Sequence, residues 1–171
     1  MRHIADWGTV PQWLTALIAL GALAAAIKSI GSQREIARKR AAMDFFIKTE
    51  MDRDALAAHK KFTTATDSLQ AALKDSKNLD AFATTDAYWN LRDYLNLHEL
   101  MSVGILNKVL DDDVCYFFWS GEMERTYENT LPLIRYVQTL QGEHDTYIEL
   151  VKVAKRWMKR DATIARSSRP T

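Results

Sequence analysis

Apolar positions are distributed unevenly along this chain. From Val10 to Ile30 (VPQWLTALIALGALAAAIKSI) they form one long run, uncharged between Trp13 and Ile27. About 20 mostly apolar residues cover a hydrocarbon core of about 30 Å, so the run predicts a single membrane-spanning helix. Pro11 stands in the first turn, where its missing N–H has no partner to lose. Trp7 and Trp13 suit the headgroup belt at entry, and Lys28 can reach the opposite headgroups at exit. The seven Leu and Ile residues of the run contribute about −0.5 kcal/mol each, or about −3.5 kcal/mol, partly offset by Thr15 and Gly21. Two other readings meet the same pattern: an Ala-rich core helix, and a signal peptide cleaved near Ala24-Ala25-Ala26. Asp6 and Pro11 ahead of the run, in place of a compact basic region, argue against cleavage.

Beyond Gly31 and Ser32 the pattern changes to water-soluble amphipathic helix. Ile36, Met43, Ile47, Met51, Ala55, Phe62, Leu69 and Leu73 keep close to a helical repeat, and no Gly or Pro interrupts from Ser32 to Thr85. The spanning helix is therefore expected to continue into a long second one, ending at the polar stretch Lys74 to Asn78. Thr84 or Thr85 can cap a further helix with Asp86 in its first turn. Leu91, Leu95, His98, Ser102 and Ile105 form one side of it, and Tyr94, Leu97 and Met101 the adjoining side. Asp111 to Asp113 start a helix bearing Tyr116, Phe117, Trp119, Met123 and Tyr127, which Pro132 kinks or restarts. The last helix, Glu143 to about Arg160, buries Tyr147, Leu150, Val151, Ala154 and Trp157. No strand signal or repeat is present. The fold class is all-α: an N-terminal segment and span over 1–32, a helical domain over 33–161, and a flexible basic tail over 162–171.

Charge adds orientation and candidate partners. Lys28, Arg34, Arg38, Lys39 and Arg40 follow the span against a single Glu35, while Arg2 and Asp6 precede it. The positive-inside rule then places the domain in the cytoplasm and the N-terminus outside, at the inner (cytoplasmic) membrane, with the basic cluster at its anionic surface. The net charge of +1 conceals segregation: Asp86 to Glu149 holds 12 acidic and 4 basic residues, and the chain after it one acidic and seven basic. That basic end suits nucleic acid, anionic lipid or the chain's own acidic middle. Within the span, Thr15, Ala19, Ala22 and Ala26 form a stripe of small side chains that runs on through Ser29 and Gln33. Small residues allow close helix approach in lipid, so the stripe is a candidate for self-association into a homo-oligomer.

Most catalytic motifs are missing. The six glycines stand alone, which removes the P-loop and the dinucleotide fingerprint. Ser120 lacks the glycines of a nucleophile elbow. His98-Glu99 opens like a zinc-protease helix, but Ser102 stands where the second ligand is needed. Consecutive Asp111, Asp112 and Asp113 cannot alternate around calcium and read as a helix cap. Cys115 is the lone cysteine, so no internal disulfide forms. Neither cofactor nor metal is expected. One pair keeps an enzyme reading open. Arg92 and His98, six apart, resemble the signature of HEPN-type helical ribonucleases, in which Arg clamps phosphate and His transfers a proton. The plainer reading packs His98 on an apolar face and pairs Arg92 with a nearby acid.

Three stretches carry a wider resemblance: Asp6 to Trp13 before the span, Arg38 to Phe46 after it, and Tyr94 to Ile105, with a late Trp157. Together they resemble a bacterial and prophage family defined only as a domain of unknown function. The resemblance implies an anchored helical domain with no catalytic residues to carry over, and an aromatic ring where this chain has His98. The resulting expectation is a non-enzymatic, membrane-anchored interaction protein, with phage exclusion or host defence implied by the prophage likeness. The alternatives are a membrane-tethered HEPN-like ribonuclease and an oligomeric membrane-disrupting effector.

Overall fold

A computed structural model of the chain describes residues 10–51, 53–74, 79–139 and 141–167. They are all-helical, in six helices: α1 (Val10–Met51), α2 (Arg53–Lys74), α3 (Leu79–Phe82), α4 (Asp86–Leu106), α5 (Asp112–Thr139) and α6 (Ile148–Ser167). No strand occurs among the described residues. The chain divides into two units, 1–37 and 38–171.

The first unit holds the apolar run. It is helical from Val10, with no break at Gly31 or Ser32, and none of its strongly apolar window is buried. Leu14, Leu17, Ile18, Leu20, Leu23 and Ile27 are all more than half exposed. The α1 helix is long and apolar enough to cross a membrane. A core helix would have these side chains covered, so the core reading of the run does not hold. Trp7 lies outside the described residues.

The second unit is organised on α4, which packs against α2, α5 and α6. Its helix starts where Thr85 Oγ1 accepts the Tyr88 N–H at 3.3 Å, satisfying one of the amides that a helix start leaves open. Leu91, Tyr94, Leu95, His98, Met101, Ser102 and Ile105 are buried along it, a face wide enough to serve three neighbours. From α2 come Phe62, Ala65 and Leu69; from α5, Trp119, Met123, Tyr127, Leu133 and Val137; from α6, Leu150, Val153, Ala154 and Trp157. Removing each such side chain from water contributes about 1.5–3 kcal/mol. At Gly104 a Cβ would sit 2.9 Å from Leu110, so the chain leaving α4 folds back over this residue.

Several elements differ from the sequence expectation. The long helix expected after the span is described as α1 up to Met51 and α2 from Arg53, with residue 52 outside the described residues. In α1 it is Ala42 and Phe46 that are buried, while Ile36, Met43, Ile47 and Met51 stay open to solvent. Pro132 lies inside an unbroken α5. Phe117 is 80 % exposed, because Cys115, Trp119 and Met123 occupy the inward positions around it. A turn over 144–147 precedes α6, and α6 extends to Ser167, so residues 162–167 of the expected tail are helical. Residues 75–78 and 168–171 fall outside the described set.

Candidate functional site

Arg92 and His98 both lie on α4, but six residues of helix turn through about 600° and rise about 9 Å, so the side chains leave on different faces. Arg92 meets the turn ahead of α6. Its Nη1 and Nη2 donate to Glu143 Oε1 and Oε2 at 3.1 and 2.6 Å, a two-pronged ion pair. Nη1 also donates to the Tyr88 hydroxyl at 3.1 Å, and Nε to the Tyr147 hydroxyl at 3.3 Å. The Tyr88 hydroxyl in turn donates to Gln141 Oε1 at 2.7 Å. The guanidinium beside Glu143 holds that carboxyl below its ordinary range, and the pairing raises the arginine in turn. Tyr147 adopts a left-handed φ of 63°, which costs a residue with a Cβ about 1–2 kcal/mol. Its complete burial and the Arg92 bond hold it there. Arg92 is thus the clamp of the 141–147 turn, with its donors committed inside the chain.

His98 is fully enclosed. Its ring lies 4.7 Å from Tyr94 and 5.0 Å from Trp119 between ring centres. Nδ1 is 3.0 Å from the Tyr94 carbonyl and must be the protonated nitrogen, since a carbonyl only accepts. That leaves Nε2 buried with no partner. Desolvation pulls the imidazole down to about 4, so it is neutral at physiological pH. The next residue, Glu99, is no fragment of a zinc motif: its carboxylate accepts the backbone N–H groups of Glu149 and Leu150 at 3.3 and 2.7 Å and caps α6 from α4. Burial raises this carboxyl.

A cavity of about 260 Å³ opens between the end of α1, α2, α4 and α5, with Glu50, Leu56, His59, Tyr94, Trp119 and Glu122 in its wall. There the Tyr94 hydroxyl donates to Glu122 Oε1 at 3.1 Å and lies 3.0 Å from His59 Nδ1. Burial keeps Tyr94 protonated far above its normal range. Two of its faces are taken, by Phe62 at 4.2 Å and by His98. Spacing along the chain could not disclose this group, whose members lie 28 and 35 residues apart. Among the described residues no three His, Cys, Asp or Glu side chains stand close enough to hold a metal. The Cys115 thiol is buried and pushed up to about 12.

The charged candidates have specific places. Asp111 Oδ1 accepts the Val114 N–H at 3.1 Å, capping α5. Asp112 accepts from Arg156 at 2.6 Å and from Trp157 Nε1 at 3.0 Å, and Asp113 from Arg160 at 2.8 Å. Part of the basic face of α6 therefore meets the chain's own acidic segment. Arg38 is half-buried beside Asp111 to Asp113 and Arg156, with a buried Nε that has no partner. Trp13, Lys28, Arg34, Lys39 and Arg40 are exposed on α1. So are Thr15, Ala19, Ala22 and Ala26, with the Thr15 hydroxyl turned back to the Pro11 carbonyl at 2.9 Å.

These features define an all-helical protein with one N-terminal helix able to span a membrane and a domain whose polar side chains mostly serve its own packing. The chain belongs to the family described as "Domain of unknown function (DUF4760)", whose model matches residues 16–157. Comparisons with curated proteins and with solved structures give no match.

Proposed function

We propose that this protein is a single-pass anchor for a helical interaction domain held at the cytoplasmic face of the inner membrane, without catalytic activity of its own. The observation that carries the reading is the exposed apolar surface of α1 from Val10 to Ile30, beside a domain with a complete core of its own. Left in water, that surface would be a far larger apolar patch than soluble proteins tolerate. The basic residues after it favour the domain inside. The resemblance read from the sequence to a bacterial and prophage family extends the proposal to phage exclusion or host defence. Neither Arg92, tied to Glu143, nor His98, neutral and enclosed, is available to a phosphodiester, which disfavours the ribonuclease reading.

The test is alkaline carbonate extraction of the full chain with a C-terminal tag. The chain is expected in the membrane pellet, with the tag resistant to external protease in spheroplasts and cleaved in inverted vesicles. Recovery in the supernatant overturns the anchor, and cleavage in spheroplasts overturns the orientation.

A further inference from the structure

After Arg38, the face of α1 that carries its larger aliphatic side chains is not the face that meets the domain. Ala42 and Phe46 are buried and Arg38, Phe45 and Thr49 half-buried, whereas Met43, Ile47 and Met51 are 38, 50 and 78 % exposed. A helix that turns 100° per residue sets these two groups on opposite sides. Each Ile or Met left in water forgoes about 1.5–3 kcal/mol of burial.

The open face has a regular spacing. Thr15, Ala19, Ala22, Ala26, Ser29, Gln33, Ile36, Arg40, Met43 and Ile47 follow one another at alternating intervals of four and three, all within the one helix Val10–Met51. A repeat that averages 3.5 residues over several heptads is the seam of a coiled coil. In heptad terms Ala19, Ala26, Gln33, Arg40 and Ile47 take position a, and Thr15, Ala22, Ser29, Ile36 and Met43 position d. Arg38 and Phe45 then fall at f, and Ala42 and Thr49 at c, the outer side of such a helix. Phe46, at g, is the buried residue nearest the seam. Over 38–51 the domain therefore packs on the c, f and g positions of α1 and leaves Arg40, Met43 and Ile47 exposed.

We infer that α1 is a parallel two-stranded dimerisation helix whose partner is a second copy of this chain. The occupant follows from the order of side chains. A matching helix must present small residues opposite 15–29 and large apolar ones opposite 36–47, in the same direction, and a second α1 in register does so position by position. Small side chains permit close approach where lipid gives no hydrophobic drive. Ile36, Met43 and Ile47 fill the seam beyond it. Gln33 and Arg40 are polar at a, a device that fixes register at a cost in stability. An antiparallel copy would set Met43 and Ile47 against alanines. The stretch before Gly31 rests on the membrane-anchor reading; the stretch from Ile36 to Ile47 does not.

The test uses the full chain in isolated membranes with one added cysteine under mild oxidation; the buried Cys115 thiol makes the unaltered chain the background. Ile36→Cys, Met43→Cys and Ala22→Cys, at d, are expected to give about tenfold or more covalent dimer than Arg34→Cys and Lys48→Cys at b, because seam thiols meet at high effective concentration. All five positions are exposed, so folding is not at risk. Equal yields at b and d, no dimer at any position, or linkage only to another protein overturns the inference. Carbonate extraction of the same samples separates the two readings. A pelleted chain with no d-position dimer removes the dimer alone. A soluble chain that still crosslinks at Ile36 and Met43 removes the anchor alone.

Discussion

Two broadly apolar stretches, residues 10–30 of α1 and the whole of α4, have opposite surroundings. On α4 the apolar side chains are covered by three helices. Two of its polar side chains reach outward as ties, Arg92 to Glu143 and Glu99 to the start of α6, while His98 and Ser102 bond back to their own helix. On α1 nothing covers the apolar side chains, and Thr15, a polar side chain inside the run, bonds back to its own helix. A helix that satisfies every polar group internally is what a hydrocarbon solvent requires. Polar groups that need partners from elsewhere mark a helix made for a protein interior. Apolar content alone does not separate the two; burial does, together with the ties that Arg92 and Glu99 make to other elements.

The comparison is broken most completely by charging α1. Arg at the centre of a span costs about 2.5–3.5 kcal/mol, so Leu20→Arg with Leu23→Arg outweighs the roughly −3.5 kcal/mol that the run supplies. The double variant is expected to leave the carbonate pellet while the domain's thermal unfolding, followed by tryptophan fluorescence in detergent, stays where it was. Loss of the domain's transition as well would mean that the run is a core helix after all.

A second prediction tests the core of α4. His98 excludes its proton when folded, with a pKa of about 4 against about 6.5 unfolded. The unfolded chain therefore binds more protons between those values, and stability falls as pH drops through them, by roughly 3 kcal/mol from pH 7 to pH 4. Glu143, held low by Arg92, adds its own loss only further down, as pH falls below the ordinary carboxylate range. In His98→Phe the loss between pH 7 and pH 4 is expected to shrink by most of that amount, read as denaturant midpoints of the full chain in detergent micelles. An unchanged slope would show that His98 is not enclosed as described.

What the sequence disclosed of this molecule is what lies close along the chain. The run at Val10, the Thr85 cap, the acidic start of α5 and the inward face of α4 could all be read from spacings of one to four residues. Arg92 and His98, kept as a candidate pair on their spacing, leave α4 on different faces, because six residues turn the helix through about 600°. What could not be read depends on partners far apart in sequence. Glu99 caps a helix 50 residues away, and Tyr94 meets both His59 and Glu122. Phe117 and Trp119 look alike as letters, and only the packing of α5 decides which turns inward. Ile36, Met43 and Ile47 keep a helical repeat that fits periods of 3.6 and 3.5 almost equally, and only the burial of Ala42 and Phe46 shows which side of α1 faces the domain.

The smallest expected effect concerns how each helix begins. The start of α1 carries no acidic residue in its first turn and relies on Pro11, which has no N–H to satisfy. The start of α4 depends on Thr85, whose hydroxyl donates to the Phe82 carbonyl at 2.7 Å and accepts from Tyr88 N–H at 3.3 Å. Thr85→Ala removes both bonds and exchanges a favoured capping residue for a poor one, at about 1 kcal/mol. For a domain of this size that lowers Tm by about 4 °C. Thr85→Ser keeps the oxygen and is expected to recover most of the loss. Both variants should stay in the membrane pellet, because the cap serves the domain and contributes nothing to insertion. A full 4 °C loss in Thr85→Ser would trace the effect to the threonine methyl group instead of the cap.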